Sequence, residues 1–247
     1  MVGQPSTRVA WMQFNTINGD SPVNDLKVRQ ALNYAIDRDS LIAGVLDGYA
    51  VKVASISTPE YDDYDASVQG YTYDPEKAKS LLAEAGYADG FTVDLSVSPG
   101  MLNATDVAQA VASQLAEVGV TVNIQQEDSA TQRDKIMSGT VAPIFLNSLG
   151  GPYCDIELIA SIGFTKGGRY CTWDSDEFGD LASRAAAAVD DTERARLHSE
   201  MQQFMVDQAP AVWLYQQDTL YAYNSAKVQN WTARTDEVVL MDGVSVQ

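Results

Sequence analysis

Hydrophobic positions along the chain change between a helical and a strand-like spacing. Between residues 26 and 36 the apolar residues lie three or four positions apart, which predicts an amphipathic helix beginning after Asp25. The same spacing recurs over residues 75–85, where Asp74 is a suitable N-cap and Pro75 suits the first helical position. Residues 91–97, FTVDLSV, instead alternate, which indicates a strand with one buried face.

A strand, a helix and a second strand are predicted in succession over residues 91–124. The helix covers 105–118 and the second strand, VTVNI, covers 120–124. Short joints between such elements favour a βαβ unit with parallel strands. The other predicted strands are WMQFN at 11–15, VAPIFLNSL at 141–149 and two short ones within AVWLYQQDTLYAYNS. The other predicted helices cover 176–189 and 191–208, with one short helix capped by Asp39 and another over SATQRDKIMSG at 129–139.

Residues 150–175 break this regularity. The stretch GGPYCDIELIASIGFTKGGRYCTWDS combines glycines with aromatic residues and both cysteines of the chain. Glycines beside large aromatic residues suggest an ordered functional loop around a short helix rather than a flexible linker.

Composition excludes several classes of function. The chain of 247 residues carries 34 acidic and 16 basic residues, a formal charge of −18, which disfavours nucleic acid and anionic membrane surfaces as partners. One histidine and two cysteines are too few for a zinc site of the usual kind, and we predict no metal, no cofactor and no catalytic residue. We expect His198 to be a solvated helix residue. No apolar run is long enough to cross a bilayer.

Several ordered segments together resemble a known family. They are VNDLKVRQALNYAIDRDSLIAGVLDGYA, YDPEKAKSLLAEAGYADGF, VAQAVASQLAEVGVTVNIQ and ERARLHSEMQQFMVDQAPAVWLYQ. Over about residues 9–230 the chain is similar to family 5 of the extracellular solute-binding proteins, the dipeptide- and oligopeptide-binding receptors of ABC importers. The resemblance implies an α/β fold, a periplasmic-binding-protein type II-like lobe with a mixed, mostly parallel sheet flanked by helices. It also implies that residues 1–208 form the second, C-terminal lobe, that residues 209–247 return toward the first lobe, and that the first lobe lies outside this chain.

The function implied by the resemblance is capture without chemical change. A small polar solute, such as a peptide, an opine or a sugar, would be enclosed between two lobes and delivered to a membrane permease. Such a protein is periplasmic or extracellular and associated with the cell surface, and it does not span the membrane. Two alternatives are a glycoside-acting enzyme with paired carboxylates and a sensory or protein-interaction module.

The expected binding residues follow from the same resemblance. In open α/β sheets a ligand lies beyond the carboxyl ends of the strands, which here directs attention to the strand ending at 149 and the loop after it. The residues predicted to bind solute are Asn147, Gly150, Gly151, Tyr153, Asp155, Trp173 and Asn15. Tyr153 and Trp173 could equally be interior residues, Asp155 could instead cap the next helix, and Asn15 could belong to a hinge.

Two features of the loop bear on the ligand and on its environment. Peptide-binding relatives carry an aspartate for the peptide ammonium group where this chain has Pro152. Either another acid replaces that aspartate, or the solute is not a simple peptide. In an exported protein Cys154 and Cys171 are expected to form a disulfide that closes the loop, whereas in the cytosol both would stay reduced.

Overall fold

One six-stranded sheet flanked by helices organises the described part of the chain. The computed structural model describes residues 2–17, 19–150 and 155–246. The strand order in the sheet is β2-β6-β1-β5-β3-β4. The strands are β1 Val2–Phe14, β2 Ala50–Lys52, β3 Phe91–Val97, β4 Val120–Gln126, β5 Ile144–Leu149 and β6 Ala211–Tyr221, and a separate short pair joins β7 Val228–Gln229 to β8 Ser245–Val246.

The sheet is mixed, with most of its strands pointing one way. Strand β3 pairs in parallel with both β4 and β5, which confirms the predicted parallel unit. Strand β1 is antiparallel to β5 and to β6, and β2 is antiparallel to β6. It follows that β3, β4, β5 and β6 share one direction, while β1 and β2 run the opposite way.

Helices cover both faces of the sheet. They are α1 Leu26–Tyr34, α2 Arg38–Val45, α3 Pro75–Glu84, α4 Ala104–Ala116, α5 Ser129–Met137, α6 Ile156–Gly163, α7 Asp176–Ala187 and α8 Asp191–Gln208, and a 3-10 turn covers Pro22–Asn24. In one hydrophobic core, the four helices α1, α2, α3 and α4 pack against one face of the sheet. A second core joins α6, α7 and α8 with the other face.

Three local predictions need correction. Strand β1 begins at Val2, well before the predicted start, because residues 2–5 pair with the end of β6. Residues 211–221 form a single strand instead of two, because they pair with both ends of β1, at residues 2–5 and at residues 9–13. The cap of α2 is Asp37, whose carboxylate accepts a hydrogen bond from the Ser40 N–H at 3.1 Å, while Asp39 lies inside the first turn.

Two buried arginines attach α1 and α2 to the segment that follows α8. The guanidinium of Arg29 donates to the Val23 carbonyl at 3.1 Å and to the Ala209 carbonyl at 3.1 Å. The guanidinium of Arg38 donates to the Trp213 carbonyl at 2.6 Å, and burial lowers the pKa of Arg38 to about 10. These helices therefore serve as scaffold, holding the sheet through charge-assisted hydrogen bonds as well as through apolar packing.

The segment after residue 208 continues the same sheet. Strand β6 lies between β1 and β2, and Val212 and Leu214 are fully buried in the first core. Further along, the carboxylate of Glu237 accepts two hydrogen bonds from Arg8, at 2.9 and 2.7 Å. A division into a lobe and a returning segment at residue 209 stays a prediction.

Candidate functional site

A cavity of about 240 Å³ opens where β3 and β5 end. The turn after β3 supplies Ser98 and Gly100, and the end of β5 supplies residues 146–149. Helix α6 contributes Ile159, Ile162 and Gly163 to the opposite wall. The cavity therefore lies beyond the carboxyl ends of parallel strands, which is where open α/β sheets bind their ligands.

One face of α5 forms the polar wall of the cavity. Asp128 caps this helix by accepting hydrogen bonds from Ala130 N and Thr131 N at 3.1 and 3.0 Å. The cap places Ser129, Gln132 and Arg133 on the cavity side, because residues three and four apart share one face of a helix. This wall thus presents a hydroxyl, an amide and a guanidinium group.

The amide of Gln132 is held in place from behind. Its Nε2 donates to Ser96 Oγ at 3.0 Å, and Ser96 Oγ donates to a carboxylate oxygen of Glu127 at 3.3 Å. Lys135 forms an ion pair with the same carboxylate. Because Gln132 is only 5% exposed, this chain of hydrogen bonds fixes a polar group that a solute would otherwise have to order.

The back of the cavity is built around Gln13 of β1. The indole N–H of Trp11, which lines the cavity, donates to the Gln13 side-chain oxygen at 3.0 Å. The amide nitrogen of Gln13 donates in turn to Thr172 Oγ1 at 3.1 Å and to the Gly163 carbonyl at 3.2 Å. Gln13 thereby joins the sheet to the end of α6 and to the segment after it.

Of the predicted site residues, Asn147 lies in the cavity wall. It is half-buried on β5, and its side-chain oxygen accepts a hydrogen bond from the Ser148 N–H at 2.9 Å. Gly150 lies just past β5 against the backbone of β1. A Cβ atom at this position would lie 2.5 Å from the Cβ and 2.7 Å from the nitrogen of Arg8, so glycine is required by chain packing.

Three other predicted residues do not line this cavity. Trp173 is 5% exposed and packs against Phe178 and Phe204, with ring centroids 6.0 and 6.3 Å away, in the second core. Asn15 is buried and donates to the Gly139 and Val141 carbonyls at 2.9 and 2.8 Å, which fixes the turn between α5 and β5.

The third is Asp155, which takes the alternative role considered for it and caps α6. Its carboxylate accepts a hydrogen bond from Glu157 N at 2.6 Å. The reason for all three positions is the same, since each side chain makes a contact within the fold and lies outside the cavity wall.

The remaining predictions fall on the loop after Gly150. Gly151, Pro152, Tyr153 and Cys154 lie outside the described residues. Cys171 is a free thiol whose Sγ donates to the Trp173 carbonyl at 2.8 Å, and burial raises the pKa of this thiol. The structure therefore gives no support to the predicted disulfide between Cys154 and Cys171.

Sequence reasoning missed the contribution of β3 and α5 to the site. Ser98, Gln132, Arg133 and Tyr170 all line the cavity, and none was predicted to do so. The strand-end rule that selected Asn147 applies equally to the residues after β3, so Ser98 was open to prediction. The α5 residues were not, because their facing depends on where Asp128 starts the helix.

Charge in the cavity wall is limited to one group among the described residues that line it. Arg133 supplies that charge, and no aspartate or glutamate lines the cavity. The Arg133 side chain is 52% exposed, and its Nε lies 3.8 Å from a carboxylate oxygen of the adjacent Asp134, beyond hydrogen-bond distance. The described wall therefore carries one positive group and no negative group, which suits an acceptor or a negative group of a solute.

Comparison with known proteins places the chain in a family. The family model described as "Bacterial extracellular solute-binding proteins, family 5 Middle" matches residues 1–168. The chain belongs to this family. This is the family that the sequence of the chain was found to resemble, so the predicted family membership is confirmed.

Two curated relatives and one solved structure illustrate the relationship. The dipeptide-binding protein of Escherichia coli is 32% identical over 220 residues, covering 86% of this chain and 41% of the relative. The heme-binding protein A of Haemophilus influenzae is 33% identical over 217 residues, covering 85% and 39%. The structure of HbpA2 from Haemophilus parasuis has a TM-score of 0.87 at 23% identity and covers 100% of this chain and 49% of that one.

The chain spans about two fifths of the length of these curated relatives. The high TM-score confirms the predicted periplasmic-binding-protein fold. Within the described residues, none of the helices has the length and the apolar character of a membrane span.

Proposed function

We propose that the protein is the solute-binding component of an ABC-type importer. In this proposal the cavity at the ends of β3 and β5 is one side of a cleft that encloses a small polar solute, which is then delivered to a membrane permease. Family membership and the 32% identity to a dipeptide-binding protein support the proposal. A periplasmic or extracellular location, associated with the cell surface, is proposed with it.

The observation that carries the proposal is the composition of the described cavity wall. Amide, hydroxyl and guanidinium groups stand beside apolar side chains at the ends of the strands, which is the mixture that small-molecule sites use for orientation and burial. A peptide carboxylate suits Arg133 and the donors around it. An ammonium group would need an acid from outside the described lining residues, which keeps open the choice left by Pro152.

An enzyme that hydrolyses glycosides is not favoured. Its mechanism needs two carboxyl groups facing one another across the scissile bond. The described residues that line the cavity include no acid, and the relatives named above are binding proteins. We therefore propose that the protein binds its solute without catalysis.

Calorimetry on the full-length polypeptide that contains this chain tests the proposal. The panel contains dialanine, a dipeptide library, the same dipeptides with an amidated carboxyl end, and heme. We expect at least one solute to bind, and we expect N147A and R133Q to weaken its binding about three- to tenfold, the effect of losing one hydrogen bond.

The control for R133Q is R184Q, which removes an exposed arginine from α7 and should leave the affinity unchanged. If no solute of the panel binds, or if a bound solute is chemically turned over, the proposed function is wrong. If amidation and R133Q leave the affinity of a bound dipeptide unchanged, the assignment of Arg133 fails while the function stands.

A further inference from the structure

His198 is a buried titratable group that the proposed binding site does not use directly. It lies in the middle of α8 and is only 7% exposed, contrary to the prediction of a solvated residue. The ring does not face solvent because α6 and the loop of residues 57–65 cover this part of α8. A titratable ring in such a place needs polar partners.

Both nitrogens of the ring face carboxylates. The Nε2 atom lies 2.8 Å from Glu157 Oε1, and the Nδ1 atom lies 3.9 Å from Asp63 Oδ2. Only the protonated imidazole carries a donor on each nitrogen, whereas a neutral ring must present one lone pair. Protonated His198 therefore donates to Glu157 and attracts Asp63 across 3.9 Å, a separation beyond hydrogen-bond distance, while neutral His198 leaves the lone pair of one nitrogen facing a carboxylate.

The two carboxylates connect the ring to the start of α6. Asp63 Oδ2 accepts the backbone N–H of Ile156 at 2.9 Å, and Asp63 Oδ1 accepts the hydroxyl of Ser57 at 3.0 Å. Glu157 lies in the first turn of the same helix. Burial raises the pKa of Asp63, against the opposing effects of these hydrogen bonds and of His198. A positive ring thus favours the charged form of a carboxylate that holds the first residue of α6.

The other charged groups near this cluster do not replace the histidine. Asp155, the cap of α6, adds a further negative charge, and in the loop Asp65 accepts a hydrogen bond from Ser199. On α8 itself, Arg194 is engaged by Asp191 and by the Ala188 carbonyl.

Helix α7 adds no cation that faces the ring. Its Glu177, Asp180 and Arg184 border a groove with Glu200 and Gln203 of α8, away from His198. Among the described side chains that these contacts identify, His198 is the cationic group available to the two carboxylates.

Helix α6 carries the effect to the cavity. Its first turn is held by the cluster of His198, Glu157 and Asp63, and its later residues Ile159, Ile162 and Gly163 form one wall of the cavity. This helix has eight residues and is about 12 Å long, so its first turn and the residues of the cavity wall lie within about two turns of one another.

We propose that His198 is a positioning residue for the binding site: in its protonated form it fixes the start of α6, so that solute binding is linked to proton uptake at His198. This inference rests on the proposed function, since it requires a solute in the cavity. By linkage, a solute that binds the protonated form more tightly must in turn promote protonation.

Nuclear magnetic resonance of the imidazole ring measures the linkage. His198 is the single histidine of this chain, so its signals can be assigned by their loss in H198Q. The full-length polypeptide is titrated over about pH 5 to 8, the range in which histidine ordinarily changes charge, with and without saturating dialanine, or heme if dialanine does not bind. We expect the solute to move the midpoint of the titration to higher pH and the affinity to fall about fivefold across this range.

Two variants separate positioning from a general loss of structure. H198Q keeps a donor that can reach Glu157 but cannot take up a proton, so its affinity should lose this pH dependence. E157Q keeps a side-chain oxygen that can accept a hydrogen bond from His198 but removes one negative partner, so the pH dependence of its affinity should be smaller. The matched control E200Q removes an exposed glutamate from α8, the helix that carries His198, and should behave as the parent protein.

The outcomes of the experiment are distinct. A midpoint that is the same with and without bound solute overturns the inference, as does an H198Q or E157Q protein with the parent's pH dependence. If H198Q does not fold, E157Q decides. Failure of every solute to bind at any pH refutes the proposed function itself.

Discussion

Substitution of Gly150 by alanine tests how closely the strands β1 and β5 approach at the edge of the cavity. The alanine Cβ would lie 2.5 Å from the Cβ and 2.7 Å from the nitrogen of Arg8, whereas ordinary contacts begin at 3.4 Å. Relief requires the two backbones to separate, and the nearest ladder pair to yield is Val9 with Leu149. Overpacking of this kind costs about 2 kcal/mol in the free energy of unfolding.

Urea unfolding followed by tryptophan fluorescence gives the measurement. Gly44 provides the control, because it lies inside α2 and a Cβ there would meet nothing within 4 Å. We expect G44A to raise the free energy of unfolding by about 0.5–1 kcal/mol, since alanine is the better helix residue. A G150A protein as stable as the parent would show that the strands are not in close contact, and the account of this glycine would be wrong.

Three further predictions concern a helix cap, a buried acid and a thiol. D37A should lower the free energy of unfolding by about 1 kcal/mol through loss of the α2 cap, and D39A should change it far less, so equal effects in urea unfolding would refute the cap assignment. Because burial raises the pKa of Asp63 above its usual 3.8, the folded state holds the proton more tightly. The free energy of unfolding should therefore fall as pH rises from this ordinary value to the raised pKa of the folded state. D63N should lack that fall. Urea unfolding at several pH values measures the free energy of unfolding of both proteins, and the same dependence on pH in the two would contradict this prediction. Since Cys171 is a free thiol, a reducing agent should leave the midpoint of thermal unfolding unchanged, and a drop in that midpoint would indicate a disulfide.

Most elements of the fold were predictable from local pattern. Residues 91–97 form β3 with the predicted limits, because strict alternation and a glycine before the strand leave little choice. Helix α8 likewise matches its predicted range, since Asp190 caps it and Pro210 prevents its continuation. Where two aspartates lie near the start of a helix, as Asp37 and Asp39 do before α2, the predicted cap was wrong by two residues.

Long-range pairing was not predictable in the same way. Residues 2–5 carry no apolar alternation of their own and become a strand because β6, some two hundred positions later, pairs with them. The binding site shows the same limit. Asn147 follows from a rule about strand ends, while the facing of Arg133 and the burial of Trp173 and His198 depend on how helices pack.

The two buried arginines have a consequence for biosynthesis. The partners of Arg29 and Arg38 include the carbonyl groups of residues 209 and 213, which are made about 180 positions later. Until that stretch leaves the ribosome, burial of the segment that contains Arg29 and Arg38 would leave their guanidinium groups without these hydrogen-bond acceptors. A prematurely terminated product would therefore stay open and be an easy substrate for proteases, so that the requirement for these late carbonyls acts as a check on completeness.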